Sequence, residues 1–360
     1  VKPGRVVAFI PSKYRDFLDE ELTLIRAVYG SVDEVHMVRK PNTRTYIQKD
    51  KLEYLSQNPP QKLVVMDILK PSQVSNILRE VNTEVVDRVM LILEIFAQHA
   101  GSREALLQIE LARIKHMLPL VKDFIRRSKL GELAGYLGPG RYGYEKYYTY
   151  LRGRESRIRR EIEEIRRVRE VRREKRIREG VPHVAIAGYT CAGKTTLFNA
   201  LTGKNMPVGP EPFTTLSPKT AKMDINGVHI VVTDTVGFIR DLPPEITEAF
   251  YATLEEITAS DLIVLVVDSS KPKFRVVNEI ESSMRVFNEI GVHGKPLLIA
   301  LNKIDLVDGG VVDELMDDIA MLIGDSSKII PISAEKRINL DKLKNEVLRT
   351  IKDQRLVRNG

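Results

Sequence analysis

The chain has 360 residues, 56 Lys and Arg against 49 Asp and Glu for a formal net charge of +7, and 43% hydrophobic residues. That length exceeds one ordinary domain, and a single cysteine, Cys191, excludes an internal disulfide and any cysteine-based zinc site. No apolar run approaches the roughly 20 residues of a membrane span and no signal-peptide pattern opens the chain, so a cytoplasmic protein, and a monomer, is expected.

Residues 1–100 alternate apolar strands (6–10, 32–38, 63–66, 85–86) with amphipathic helices (20–29, one from Ser72, 89–97). This predicts a small N-terminal α/β domain. It carries no phosphate loop, metal cluster or nucleophile–base pair. His36, His99 and His116 stand isolated and read as structural or surface histidines.

The pattern changes over 101–179. Leu107, Leu111, Ile114, Leu118, Val121 and Ile125 recur at steps of four and three, a coiled-coil seam in which Pro119 predicts a kink or a break. Leu151, Ile158, Ile162 and Ile165 answer at compatible spacing, so a long antiparallel helical hairpin is predicted. Residues 151–179 hold twelve Arg and one Lys against seven Glu, a surplus of +6. Such a segment is either a nucleic-acid footprint or a solvated helix laced with Glu/Arg pairs. The tip, 129–150, interleaves five glycines and several tyrosines with Arg141 and Lys146. It suits RNA contact, or it is a loop whose tyrosines pack locally.

From 180 to 360 the sequence spells out a nucleotide site. The apolar strand 183–187 leads into Gly188-Tyr189-Thr190-Cys191-Ala192-Gly193-Lys194-Thr195, a GxxxxGK[ST] loop, and Thr196 continues into a helix. Backbone N–H groups of such a loop turn around a polyphosphate, Lys194 reaches the outer phosphates, and Thr195 offers its hydroxyl to Mg²⁺. Phe213-Thr214-Thr215 supplies a switch threonine for the same ion, with Thr215 preferred over Thr214. Asp234-Thr235-Val236-Gly237 fits DxxG, Asp234 serving Mg²⁺ and Gly237 the γ-phosphate. Lys194, Thr215 and Gly237 are the residues expected closest to the chemistry. Asn302-Lys303-Ile304-Asp305 selects guanine, because the Asp305 carboxylate accepts from N1–H and the 2-amino group, and adenine offers no such pair. Ser333-Ala334 completes the base site. GTP and GDP are therefore the expected ligands. Phe238 follows Gly237 where Ras-like proteins carry the water-orienting glutamine; slow intrinsic turnover raised by a partner is expected, and simple packing of the ring gives the same slow rate.

With GYTCAGKTTLFNAL, FTTL, DTVGFIRDLP and ATLEEI in the second half, and Val86-Asp87-Arg88, Leu107 to Ala112 and Gly138-Pro139-Gly140 in the first, the chain resembles the HflX family of ribosome-associated GTPases. The resemblance implies a Ras-like P-loop GTPase domain preceded by a smaller α/β domain and a helical hairpin. It also implies nucleotide-dependent binding to the large ribosomal subunit and its rRNA, in ribosome splitting, rescue or a stress response. The alternative is a GTP-regulated signalling switch with a protein partner and no RNA contact. Two positions depart from the family: Arg141 follows the Gly-Pro-Gly triplet where an acid is common, and Cys191 replaces the phosphate-loop asparagine. A thiol is a poor K⁺ ligand, so little K⁺ stimulation is expected. Beside a helix N-terminus, the Cys191 thiol has either a lowered pKa or a bland packing role.

Overall fold

The computed structural model describes residues 4–100, 102–130, 140–178, 181–209, 218–240, 246, 254, 256–292, 294–325 and 328–359. The chain divides into two compact units, Val1–Arg167 with Leu242–Ala249, and Val168–Asp241 with Phe250–Gly360.

The first unit holds a four-stranded parallel sheet in the order β2-β1-β3-β4, built from β1 (Val6–Pro11), β2 (Glu34–Val38), β3 (Lys62–Val65) and β4 (Glu84–Asp87). Central β1 is buried along its whole length, which accounts for its unbroken apolar run. Helices α1 (Leu18–Tyr29), α2 (Lys49–Gln57) and α3 (Pro71–Val81) make the connections, and α4 (Arg88–His99) follows β4. Helix α2 is absent from the sequence reading because only Leu52 and Leu55 are buried in it, too few to mark a period. Asp87 caps α4 by accepting from the Met90 N–H at 3.0 Å. Arg88 forms a buried ion pair with Glu21 and lies 4.8 Å over the Tyr14 ring. His116 is not isolated, as its Nε2 lies 2.8 Å from Asp87 Oδ2 and ties α5 to the end of β4. His36 stacks on Phe9 at 4.9 Å; the His99 side chain lies outside the described residues.

Helix α5 (Arg103–Lys129) and the 39-residue α6 (Gly140–Arg178) form the hairpin. Leu107, Leu111, Ile114, Leu118, Val121, Leu151, Ile158 and Ile162 share one core, joined by Ile125 and Ile165. Cross-links Arg103–Glu161, Arg154–Glu110 and Phe124–Tyr144 climb α5 while descending α6, so the pair is antiparallel. Pro119 does not break α5: the helix runs through it, held by the burial of Leu118 and Val121 on either side. The tip loop is also shorter than the glycine pattern implies. Residues from Gly140 are already helical, anchored where Tyr144 meets Phe124 at 5.4 Å and Lys122 sits 5.7 Å from the Tyr148 ring. Gly131, Gly135, Gly138 and Pro139 lie outside the described residues, as do the side chains of Arg141 and of 169–178.

The second unit is a six-stranded sheet in the order β10-β9-β8-β5-β7-β6, parallel except for edge strand β6. Its strands are β5 (His183–Gly188), β6 (Lys219–Ile225), β7 (Val228–Asp234), β8 (Leu262–Asp268), β9 (Leu297–Asn302) and β10 (Ile329–Pro331). Helices α7 (Lys194–Thr202), α8 (Lys273–Glu289), α9 (Gly309–Ile323) and α10 (Leu340–Asn359) belong to the same unit. Parallel pairing aligns the C-terminal ends of β5, β7, β8 and β9, so Gly188, Asp234, Asp268 and Asn302 emerge on one edge. That edge is where doubly wound sheets bind ligands.

Among the described residues no helix is long and apolar enough to cross a membrane, and no group of three or more His, Cys, Asp or Glu could hold a metal ion.

Candidate nucleotide-binding site

The phosphate loop connects β5 to α7. Gly188 has φ +138°, and a Cβ there would strike the Val266 carbonyl oxygen of β8. Gly193, at φ +94°, caps α7 with its missing Cβ facing the Asn302 amide. Both positions require glycine for backbone geometry and for space. Lys194 is buried and donates to the Tyr189 carbonyl at 2.7 Å. Desolvation pulls its pKa down to about 8, with Asp234 opposing. A buried ammonium at the head of a helix calls for an anion, and a polyphosphate supplies it. Ala192 is buried and Thr196 half-buried.

The Thr195 hydroxyl donates to Asp234 Oδ2 at 2.8 Å. This brings together two oxygen ligands from elements 39 residues apart, and an oxygen donor set of this kind fits Mg²⁺. Phe213, Thr214 and Thr215 lie outside the described residues.

The Asp234–Gly237 segment is bound to the phosphate loop through its backbone. Thr190 N–H donates to Phe238 O and Phe238 N–H to Gly188 O, both at 3.0 Å. Gly237 sits tight against the loop: a Cβ would lie 2.8 Å from Thr190 Cγ2 and 2.9 Å from Lys194 Nζ. The Phe238 ring points into the core, edge-on to Tyr189 at 6.3 Å and to Phe287 at 5.7 Å. It is a packing residue.

Asn302 joins three loops. Its Nδ2 donates to Ala192 O at 2.8 Å, its Oδ1 accepts from Ala334 N–H at 2.9 Å, and its carbonyl accepts from Ser269 N–H and Oγ at 2.9 and 2.7 Å. Lys303, at φ +69°, is pinned by Asp268 at 2.6 Å. Asp305 is exposed and has no hydrogen-bond or ion-pair partner among the described residues, leaving its carboxylate available to a ligand. Ser333 is fully buried and its Oγ accepts from Lys336 N–H at 3.0 Å. Asp268 and Ser269 were not singled out from sequence; the signal was the apolar run 262–267 ending in an acid.

Cys191 differs from both expectations. The residue is solvent-exposed, at φ +62°, with its thiol only partly covered by the loop. Its thiol pKa is raised, because desolvation by the surrounding loop outweighs Lys194, Lys271 and Lys303.

A second feature is electrostatic. Parallel pairing in the first unit sends the loops after β1, β2 and β3 to one edge, where Lys13, Arg15, Arg39, Lys40, Arg44 and Lys70 are all exposed. Among the described residues none of the six is in an ion pair.

Three family models match consecutive stretches: GTP-binding GTPase N-terminal over residues 16–97, GTP-binding GTPase middle region over 99–176, and 50S ribosome-binding GTPase over 183–303. GTPase HflX of Hyperthermus butylicus is 45% identical over 331 residues, covering 88% of this chain and 87% of that protein. GTPase HflX of Saccharolobus solfataricus is 41% identical over 342 residues, covering 92% and 95%. The crystal structure of a GTP-binding protein from Sulfolobus solfataricus in complex with GDP superposes with a TM-score of 0.54 at 34% identity, covering 97% of this chain and 99% of that one. Identity at this level along nearly the whole length, over a site built for a guanine nucleotide, means that the chain belongs to the HflX family of GTPases and hydrolyses GTP.

Proposed function

We propose that this GTPase binds the large ribosomal subunit and its rRNA in a nucleotide-dependent way, with functional parts at 1–100, 101–179 and 180–360. In this reading the backbone of 188–193 wraps the phosphates, Lys194 neutralises them, and Gly237 offers its N–H to the γ-phosphate. Thr195, Thr215 and, through water, Asp234 would hold Mg²⁺, which would supply charge neutralisation for the phosphates. Asp305 reads guanine, with Lys303, Ser333 and Ala334 framing the base.

The observation that carries the switch is the backbone exchange of Thr190 and Gly188 with Phe238, beside a Gly237 that has no room for a Cβ. A γ-phosphate next to Lys194 then bears directly on the segment after Gly237, and its loss releases that segment. RNA as partner is supported by the six unpaired cations on one sheet edge of the first unit, since neutralised phosphates release counterions. It is also supported by the 50S ribosome-binding description of the matched GTPase region.

Phe238 cannot orient water, so intrinsic turnover is slow and the partner completes the site. GTP turnover is to be measured with and without purified large subunits. A rise of about a hundredfold or more supports the reading, given the 10³ to 10⁵ seen in assisted GTPases. An unchanged rate with nucleotide binding intact overturns it.

A further inference from the structure

Strand β8 ends in an acid. Asp268 stands abreast of Asn302 in the parallel register of β8 and β9, only 4% exposed, on the edge where Gly188 and Asp234 also emerge. A carboxylate buried that deeply needs donors, and it has three among the described residues. Its Oδ1 accepts from Ser270 N–H at 3.0 Å and from Ser270 Oγ at 2.6 Å, and its Oδ2 accepts from Lys303 Nζ at 2.6 Å. The serine bonds orient the carboxylate independently of the lysine, so Asp268 is the anchor and Lys303 the group it holds.

Lys303 is fixed at both ends. Its backbone sits in the left-handed region, at φ +69° and ψ 30°, which is unfavourable for a residue with a Cβ. Hydrogen bonds of the loop keep it there: its carbonyl accepts from Leu306 N–H at 3.0 Å, and the next residue, Ile304, donates its N–H to Ile332 O at 3.3 Å. Its ammonium is tied to Asp268, yet the side chain keeps 31% of its surface exposed. An exposed lysine ordinarily samples many rotamers, and ordering it opposes binding. Here the ordering precedes the ligand, because the stem is stretched between two fixed points beside Asn302 and Asp305. Such a stem offers apolar surface to a ring while its charge stays paired. The same ion pair lies near enough to the phosphate loop for both partners to act on the Cys191 thiol.

We infer that Asp268 is a positioning residue for base recognition: it holds the Lys303 stem as a preformed platform for the guanine ring, while Asp305 reads the edge of that ring. The inference rests on the base-site reading above and adds to it a residue that acts through Lys303. It also separates two contributions. The platform serves purines alike, so affinity depends on Asp268. The choice among purines stays with Asp305, whose carboxylate accepts from the 2-amino group.

The test is a double-variant cycle on the full chain, read by titration with GDP and with inosine diphosphate, which lacks the 2-amino group. Asp268→Asn keeps an acceptor for Ser270 and removes the charge that holds Lys303. It is expected to weaken both nucleotides about tenfold, leaving their ratio as in wild type. Lys303→Met keeps an apolar stem without the tether and is expected to weaken both to a similar degree. In the Lys303→Met background, Asp268→Asn should then change GDP affinity by less than about twofold, because the two residues act as one unit. Losses that add across the pair would mean that Asp268 only supports the fold of the loop, and they overturn the inference. So does an Asp268→Asn variant that binds GDP as wild type does. Asp305→Ala checks the base-site reading separately: it should bring the ratio of GDP to inosine diphosphate affinity towards one. A ratio kept at its wild-type value in that variant overturns the base-site reading and this inference with it.

Discussion

Asn302→Ala removes a side chain that satisfies two buried backbone groups at once, the Ala192 carbonyl at 2.8 Å and the Ala334 N–H at 2.9 Å. Asn302 is itself only 2% exposed, so water does not reach these groups without rearrangement. Each unsatisfied buried polar group costs about 1 to 3 kcal/mol, so the two together set the expected loss at about 2 to 6 kcal/mol. The phosphate loop and the base loop lose their common tie, so part of the loss appears in nucleotide affinity. The assay is urea unfolding of apo and GDP-saturated protein, together with a GDP titration. The reasoning predicts a lower midpoint at unchanged slope and GDP binding weakened more than tenfold. A variant within about 0.5 kcal/mol of wild type that binds GDP within twofold would refute it. Asp305→Ala is the contrast: the side chain is exposed, so stability should stay within about 0.5 kcal/mol while the preference of GDP over ADP collapses.

Lys194 predicts a pH dependence. Its apo pKa near 8 lies below the ordinary lysine value, and phosphate favours the charged form, so nucleotide binding takes up a proton above pH 8. GDP affinity should be flat below pH 8 and fall towards tenfold per unit above it; a Kd constant to pH 9.5 would count against a buried ammonium. Gly237→Ala places a methyl 2.9 Å from Lys194 Nζ. The analogue-to-GDP affinity ratio should fall towards one while GDP affinity changes little, and a preserved ratio contradicts the switch role. Breaking the buried Arg88–Glu21 pair with Arg88→Ala should cost about 3 to 5 kcal/mol in thermal or urea unfolding, and a neutral result would show that water reaches the pair. With the thiol of Cys191, a poor K⁺ ligand, in the phosphate loop, exchanging NaCl for KCl should leave GTP turnover within about twofold. A large selective gain in KCl would refute that.

Much of the site was legible because its chemistry lies in contiguous residues. GYTCAGKT and NKID each sit at the end of an apolar run, and parallel pairing delivers them to one edge. The α5–α6 seam was legible for a similar reason, since its period is local. What was hidden depends on distant pairs or on summed burial. The Asp87–His116 contact joins residues 29 apart, and Asp268 acquires meaning only when Lys303, 35 residues on, folds against it. The six edge cations are scattered through three loops that only the strand order brings together. Pro119 reads as a helix breaker in isolation, yet the shared core of α5 and α6 outweighs one missing hydrogen bond. The tyrosines of the tip read as loop because glycine dominates their neighbourhood, whereas Tyr144 and Tyr148 find partners on α5.

Nucleotide-gated ribosome binding is tested most directly by co-sedimenting the full chain with purified large subunits in the presence of GDP or of a non-hydrolysable GTP analogue. At moderate salt, binding at least tenfold tighter with the analogue is expected, weakening steeply as salt rises. Equal, salt-insensitive or absent binding in both states, with nucleotide affinity intact, would contradict the account and favour a protein partner.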